Sequence, residues 1–382
     1  VPVALASLQE ATPAAINCPC WAGAGDYCGK GVNLFAKKHG CVGLPGQDDK
    51  ILSCTHDGHA NNDQWTVHIS CPYGCVFSPN GAPDYCKPPP PPPPRRLPRV
   101  DTVFLIVMEN HNWSQIAGNS NAPFINDSLL PMSSYATRYY NNLGGLHPSE
   151  PNYLWLVSGY NFNIWDDADP SAHNISSHQH LMRLLDEADI SWRAYQEDAT
   201  DACPMTSTGL YAAKHDPFVY FTDVTNDQSY CAKHLVSLAA LDQTLTATCP
   251  DTIPRFNFIT PNLCNDMHGA AGCPTEDPVA VGDAWLAQYI PKIMASPVYQ
   301  EGRAAIFITW DEDEPPACAD QPYGDCPIGM IVVSPLARGH GYHNSIYYTH
   351  SSLLLTLQEI FGVAHRPLGD AANWVNLSDL FK

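Results

Sequence analysis

Between Val100 and Asn110 the chain reads V-D-T-V-F-L-I-V-M-E-N, an apolar run with no polar alternation that stops abruptly at Glu109 and Asn110. A strand covered on both faces, as in the sheet of an α/β fold, has this pattern. Its carboxyl end would open into the crevice where such folds bind ligands. A carboxylate beside an amide there is an oxygen-donor pair suited to a hard divalent cation. The plain alternative is a loop-start Glu-Asn satisfied by backbone.

Strand and helix patterns alternate from Arg99 onward. The spacing predicts strands at Ile190–Tyr195, Phe256–Thr260, Ala304–Thr309 and Ile328–Val333. It predicts helices at Ser177–Ala188 and Asp283–Met294, and one capped by His350-Ser351-Ser352 that runs through Ile360. Three of the buried strands are followed by metal-ligand residue types: Glu109-Asn110, Asp266-x-His268 and Asp311-Glu312. Ser149 stands at an expected N-cap before the apolar run L-W-L-V-S-G, where the helix dipole favours a phosphate. His215 falls in a loop and His350 at a helix start. One edge of a mostly parallel sheet would gather all of them. Any one of these residues could be structural, and Ser149 as a bare N-cap would be commonplace.

The first 87 residues follow another pattern. They hold eight cysteines (Cys18, Cys20, Cys28, Cys41, Cys54, Cys71, Cys75 and Cys86), much Gly, Asn and Asp, and no long periodic apolar stretch. A segment so poor in core needs staples, which points to four disulfides. Zinc is the weaker reading, because Cys71-Pro-Tyr-Gly-Cys75 has no matching second pair. Aromatics such as Trp21 and Trp65 would either fill the small core or stack on sugar rings. Pro88–Pro94 is an unbroken proline run, read as a stiff polyproline II spacer. The expected organisation is therefore a stapled module over 1–87, a linker over 88–98 and an α/β domain over 99–382. A rod of this kind suits an anchoring module, with neutral polysaccharide the expected ligand. Self-association through the rod or an odd cysteine is the alternative.

Charge and cysteine usage narrow the partners. The formal net charge of −20 argues against nucleic acid and anionic membranes. No apolar run approaches the roughly 18 residues that span a bilayer. Fifteen cysteines and Asn-x-Ser sequons at Asn112, Asn126, Asn174 and Asn376 point to a secreted, oxidised and glycosylated protein. Val1–Ala15 lacks the basic start and long apolar core of a signal peptide, so the signal is expected to have been removed or to lie upstream. The odd cysteine count leaves one thiol free or paired to another chain. In the α/β domain, Cys264 with Cys273 and Cys318 with Cys326 are the easiest local pairs.

The candidate residues make a coherent chemistry. Oxygen donors from Glu109, Asn110, Asp311 and Glu312 would hold a divalent ion (Ca, Mg or Zn) that activates the Ser149 hydroxyl and binds a phosphoryl oxygen. Asp266, His268 and His350 offer a mixed nitrogen and oxygen set. They would bind a second, zinc-like ion, or bind phosphate and protonate the leaving alkoxide.

Six blocks carry a resemblance: M-E-N at Met108–Asn110, H-P-S-E-P-N-Y at His147–Tyr153, S-W-R-A-Y-Q-E at Ser191–Glu197, K-H-D-P-F at Lys214–Phe218, P-N-L-C-N-D-M-H at Pro261–His268, and T-W-D-E at Thr309–Glu312. From about Val100 to its end the chain resembles the phosphoesterase family of acid phosphatases and phospholipases C, within the alkaline phosphatase superfamily. The resemblance implies an alkaline-phosphatase-like, mostly parallel sheet flanked by helices. It also implies Ser149 as nucleophile, a metal at Glu109, Asn110, Asp311 and Glu312, and phosphate-handling histidines at His215, His268 and His350. The phospholipase branch usually continues its first block as Arg-Ser-Phe, and His111-Asn112-Trp113 departs from it. The family's acidic pair is often two aspartates, against Asp311-Glu312 here. The expected function is thus a secreted, metal-dependent phosphomonoesterase using a phosphoserine. The alternatives are a phospholipase C-type phosphodiesterase or an inactive wall-binding glycoprotein. A glycan on Asn112 would crowd the site, so that sequon is expected to be unoccupied or to point away.

Overall fold

A computed structural model describes residues 95–142, 146–247, 250–314, 318 and 326–382, together with the backbone of five short strands nearer the N-terminus. The chain divides into two compact units, Val1–Pro90 and Pro91–Lys382. In the first, β1 (Gly25–Cys28), β2 (Lys50–Thr55) and β3 (Gln64–Ser70) form an antiparallel sheet in that order. A separate antiparallel pair joins β4 (Cys75–Val76) to β5 (Tyr85–Cys86). The disulfides, exposed aromatics and proline rod expected of this segment lie outside the described residues.

The second unit is built on β6 (Thr102–Met108), whose seven residues are all buried, as its unbroken apolar run requires. It lies inside an eight-stranded sheet. The other strands are β7 (Ser134–Ala136), β9 (Trp192–Gln196), β10 (Leu235–Ser237), β11 (Phe256–Thr260), β12 (Ala304–Trp310), β13 (Met330–Val333) and β14 (Tyr342–Asn344), in the order β10-β9-β11-β6-β12-β13-β7-β14. The five strands from β10 to β12 run parallel, and β13 is antiparallel to both its neighbours. A small parallel pair, β8 (Tyr139–Tyr140) with β15 (Tyr348–Thr349), lies apart. The sheet is therefore mostly parallel α/β, as expected. Register sets the site: Met108 pairs with Trp310, so Glu109 and Asp311 emerge side by side.

The principal helices are α1 (Ser149–Ser158), α2 (Leu181–Glu187), α3 (Pro278–Met294) and α4 (His350–Ile360). Their starts differ from the sequence reading for local reasons. Helix α2 begins later than Ser177 because His180 is its N-cap, Nδ1 accepting from Arg183 N at 3.3 Å. Helix α3 begins five residues before Asp283, with Asp277 accepting from Val279 N at 2.9 Å and Pro278 in the first position. Thr349, not the His-Ser-Ser run, caps α4. Strand β13 starts after Gly329, which has φ +82° and no room for a Cβ because the Trp113 ring would lie 2.1 Å from it. Helix α1 ends at Gly159 (φ +72°), where a Cβ would meet Leu368 O at 2.7 Å.

Disulfides join Cys264 to Cys273 and Cys318 to Cys326, the two local pairs expected, and also Cys203 to Cys231. Among the described residues no helix is long and apolar enough to cross a membrane.

Candidate active site

The crevice begins where β6 and β12 stop. Asn110 turns the chain with φ +36°, a conformation asparagine tolerates better than most residues. Its N–H donates to Asp311 Oδ1 at 3.0 Å, while Glu109 N donates to Asp266 O at 2.7 Å and Asp311 N to Met108 O at 3.0 Å. The Asn110 side-chain oxygen faces two carboxylate oxygens, Glu109 Oε2 at 3.0 Å and Asp311 Oδ1 at 3.1 Å. Three oxygens converging this way repel one another unless the amide turns its NH2 inward or a cation lies between them. In either case the two carboxylates are held within reach of one amide.

Ser149 is not the N-cap of α1. Pro148 takes that position, and Ser149 is the first helical residue. Its hydroxyl, freed from capping, donates to Glu109 Oε2 at 3.1 Å, and Lys214 Nζ stands 3.5 Å from the same Oγ. Three and four residues on, Asn152 and Tyr153 share the face of Ser149. Asn152 Nδ2 donates to Glu312 Oε2 at 3.0 Å, and Tyr153 OH to Glu109 Oε1 at 2.6 Å. His147 reaches Glu312 Oε2 at 2.6 Å and Asp313 Oδ1 at 3.4 Å. One oxygen of Glu312 is therefore already engaged by two neighbours at the rim.

The histidines divide into two kinds. His215 is buried, stacks on the Tyr153 ring at 5.1 Å, and brings Nε2 to 3.3 Å from Glu109 Oε1 and Nδ1 to 3.4 Å from Asp266 Oδ2. His268 lies 6.1 Å from it, ring centroid to centroid, with Nδ1 bonded to Gly269 O at 2.9 Å. His350 has both ring nitrogens engaged, Nδ1 with Tyr139 OH at 2.9 Å and Nε2 with Asp311 O at 2.6 Å. The zinc-like set expected at Asp266, His268 and His350 is therefore not the set that converges. Glu109, His215 and Asp266 bring ligand atoms within 4.8 Å of one another. His350 instead braces the Asp311 backbone.

Burial dominates the electrostatics. It drives the Glu109 and Asp266 carboxyls well above their ordinary range, and Asp311 up to about 8 with Glu312 adding repulsion. Burial also raises Glu312, lowers His215 and His268, and pulls His350 down to about 3. Burial opposes the Lys214 ammonium, but Glu109 and Asp167 outweigh it and raise Lys214. Hydrogen bonds to Asp313 and Glu312 push His147 up to about 10. Asp311 Oδ2, Asp266 Oδ2 and His215 Nε2 are buried without an aligned hydrogen-bond partner. Buried carboxyls raised above their ordinary range and orphaned ligand atoms beside them fit a divalent cation.

Sequence reasoning gave no roles to Lys214, Asn152 and Tyr153, although each lies in a quoted block. The i, i+3, i+4 spacing after Ser149 was the available signal for the last two. The Asn112 sequon is buried, with Nδ2 donating to Glu314 O at 2.9 Å and Oδ1 accepting from Glu314 N at 3.1 Å. A glycan on that nitrogen is incompatible with the fold. The amides of Asn126 and Asn376 are likewise spent on internal bonds, whereas Asn174 is exposed.

Residues 133–364 match the phosphoesterase family. A phosphatidylinositol-3-phosphatase from Mycobacterium tuberculosis is 28% identical over 286 residues, covering 75% of this chain and 84% of that protein. A probable acid phosphatase from Kluyveromyces lactis is 24% identical over 294 residues (72% and 64%), and a phosphate-repressible acid phosphatase from Penicillium chrysogenum 25% over 246 residues (63% and 55%). The chain thus spans less than two thirds of the length of these two fungal relatives. A solved structure of an alkaline phosphatase superfamily protein from Vibrio parahaemolyticus aligns with TM-score 0.48 and 11% identity, over 75% of this chain and 73% of that one. The match over 133–364 covers more than half of the sequence, and the chain belongs to the phosphoesterase family, a phosphoric ester hydrolase by class.

Proposed function

We propose that the chain is a metal-dependent phosphomonoesterase, secreted, that works through a phosphoserine at Ser149. The observation that carries this reading is the Ser149 hydroxyl at the start of α1, bonded to Glu109 and beside Lys214. Glu109, Asn110 and Asp311 would hold the ion, with His215, Asp266 and Glu312 beside it. Once bound, the ion supplies Lewis-acid charge for a phosphoryl oxygen and for the serine oxygen.

The chain's own residues do the rest. Glu109 Oε2 orients the Ser149 proton away from the line of attack, leaving an Oγ lone pair for phosphorus. The positive end of α1 and the Lys214 ammonium face the charge on the phosphoryl group. As Oγ–P forms, the Ser149 proton passes to Glu109 Oε2, to which the hydroxyl already donates, and as the ester P–O bond breaks His268 in its protonated form donates to the departing alkoxide. Burial lowers the His268 pKa, so the protonated acid is available chiefly on the acid side of neutrality. Water then hydrolyses the phosphoserine and releases phosphate. His268 also lines a groove of about 560 Å³ with His111, Ser114, Gln115, Asn119 and Glu314, a polar wall suited to a small hydrophilic leaving alcohol.

Ser149→Ala is expected to abolish turnover with fold and metal content intact, and acid quench should trap one phosphate on the wild type alone. Retained near-normal activity in that variant would end the phosphoserine reading. A parallel screen of p-nitrophenyl phosphate against phosphatidylcholine separates the monoesterase from the phospholipase alternative.

A further inference from the structure

Glu197 closes one of the six sequence blocks and has no part in the mechanism above, yet it is tied to the loop that carries Asp266 and His268. It follows β9, which lies in register with β11 (Gln196 beside Thr260), and its N–H donates to Thr260 O at 3.0 Å. The partly buried side chain turns to the loop that leaves β11. One oxygen, Oε2, accepts from both Asn262 N at 2.9 Å and Asn265 Nδ2 at 3.0 Å. Asn262 then organises the turn. Its Oδ1 accepts from Cys264 N at 3.0 Å and Asn265 N at 2.9 Å, and its carbonyl accepts from Asp266 N at 2.9 Å. Asp266 Oδ1 in turn accepts from His268 N at 2.7 Å. An unbroken run of hydrogen bonds therefore leads from Glu197 to the backbone of His268.

We propose that Glu197 is a positioning residue for the leaving-group acid, holding the Asn262–His268 turn so that the His268 ring meets the departing alkoxide. This rests on the assignment of His268 as that acid. Two donors on one oxygen mean that the turn needs an acceptor there and not a charge. Glutamine supplies an amide oxygen in the same place. Alanine supplies nothing, and both donors then lose their partner. The turn stays on the domain in that case, because Asp198 Oδ2 still accepts from Asn262 Nδ2 at 2.8 Å and a disulfide still joins Cys264 to Cys273. The expected result is a displaced ring on a folded loop, and a misplacement of about 1 Å can cost roughly 10²-fold in rate.

Such a displacement shows in the leaving group. A departing alkoxide needs a proton, whereas p-nitrophenolate leaves readily without one, so only the first depends on a well-placed acid. Loss of folded protein, by contrast, lowers both rates by the same factor.

The test is kcat/KM of the whole chain, at saturating metal, for ethyl phosphate and p-nitrophenyl phosphate. Glu197→Ala should lower the ethyl phosphate value about 100-fold and the p-nitrophenyl value less than about 10-fold, and Glu197→Gln should recover most of the loss. Asn265→Ala removes one donor at a half-buried position, and it should show the same bias more weakly even if Glu197→Ala does not fold. His268→Ala is the reference and should show the bias in full. Equal losses on the two esters in the Glu197 and Asn265 variants, with the bias present in His268→Ala, would reduce Glu197 to support of the fold and overturn the proposal. No bias in His268→Ala would instead remove His268 as the acid, and the proposal would fall with that reading.

Discussion

The two ends of the same strands carry opposite electrostatics. At the amino ends, Asp101, Arg255 and Arg303 immediately precede β6, β11 and β12. Asp101 pairs with Arg303 and, at 2.8 Å, with Arg99, and its backbone oxygen accepts from Arg255 Nε at 3.0 Å. Burial opposes its charge, but the two arginines prevail and hold its carboxyl below the usual range. At the carboxyl ends, Glu109 and Asp311 follow β6 and β12, buried and without an arginine, and their carboxyls are pushed upward. One end satisfies its charges within the chain. The other leaves them to be satisfied by something else, as the ligand-binding edge of an α/β sheet does.

The largest expected effect lies at the unsatisfied end. Asp311→Asn should lower kcat/KM by at least about 10³-fold, a loss of roughly 4 kcal/mol of transition-state stabilisation. In metal-free protein it should leave the Tm unchanged or raise it, because a buried neutral amide costs less than a buried carboxylate. A lower Tm in the metal-free variant would mean that Asp311 stabilises the fold as Asp101 does, and the contrast would fail. Metal removal sharpens the same point. Chelation should lower the Tm of the wild type, and an ion restored at 100 times its Kd should return about 2.7 kcal/mol. Asp311→Asn should blunt that gain in calorimetry.

Tyr153→Phe should act more mildly. It removes the hydroxyl that donates to Glu109 Oε1 at 2.6 Å and keeps the ring stacked on His215. A loss of about 1–3 kcal/mol corresponds to roughly a 5- to 150-fold fall in kcat. Unchanged kinetics would show that Glu109 does not depend on this donor.

The sequence made the sheet edge legible because three strands ended in ligand types, and parallel register then had little choice but to gather them. Glu109 and Asp311 needed no more than that, whereas Ser149 was legible from the block His147–Tyr153 at a helix start and proves to open α1 with Pro148 as its cap. His350 was legible as a residue but not as a contact. Its position at a helix start suggested phosphate, and only the Tyr139 hydroxyl and the Asp311 carbonyl, 211 and 39 residues away, reveal a brace. The pairing of Asp266 with His215, rather than with His268 and His350, likewise depends on how a loop folds back over β11, which no spacing records. Helix starts moved wherever a cap overrode the apolar period, as at Asp277.

The smallest effect belongs at the satisfied end. Asp101→Asn removes a surface charge held by two partly exposed arginines, and such pairs contribute little in water. At neutral pH the Tm should fall by no more than about 4 °C, with kcat/KM unchanged because the crevice lies at the far end of the strands. The pH dependence gives the sharper test. A carboxyl whose folded pKa is depressed contributes its stability above the unfolded value, about 3.9, and loses it as pH falls through the lower folded value. Wild type and Asp101→Asn should therefore differ most above about pH 4 and converge in stronger acid, as followed by thermal melts across that range. A difference that instead grew toward acid would place Asp101 among the strained carboxylates, and the two ends of the sheet would no longer be opposites.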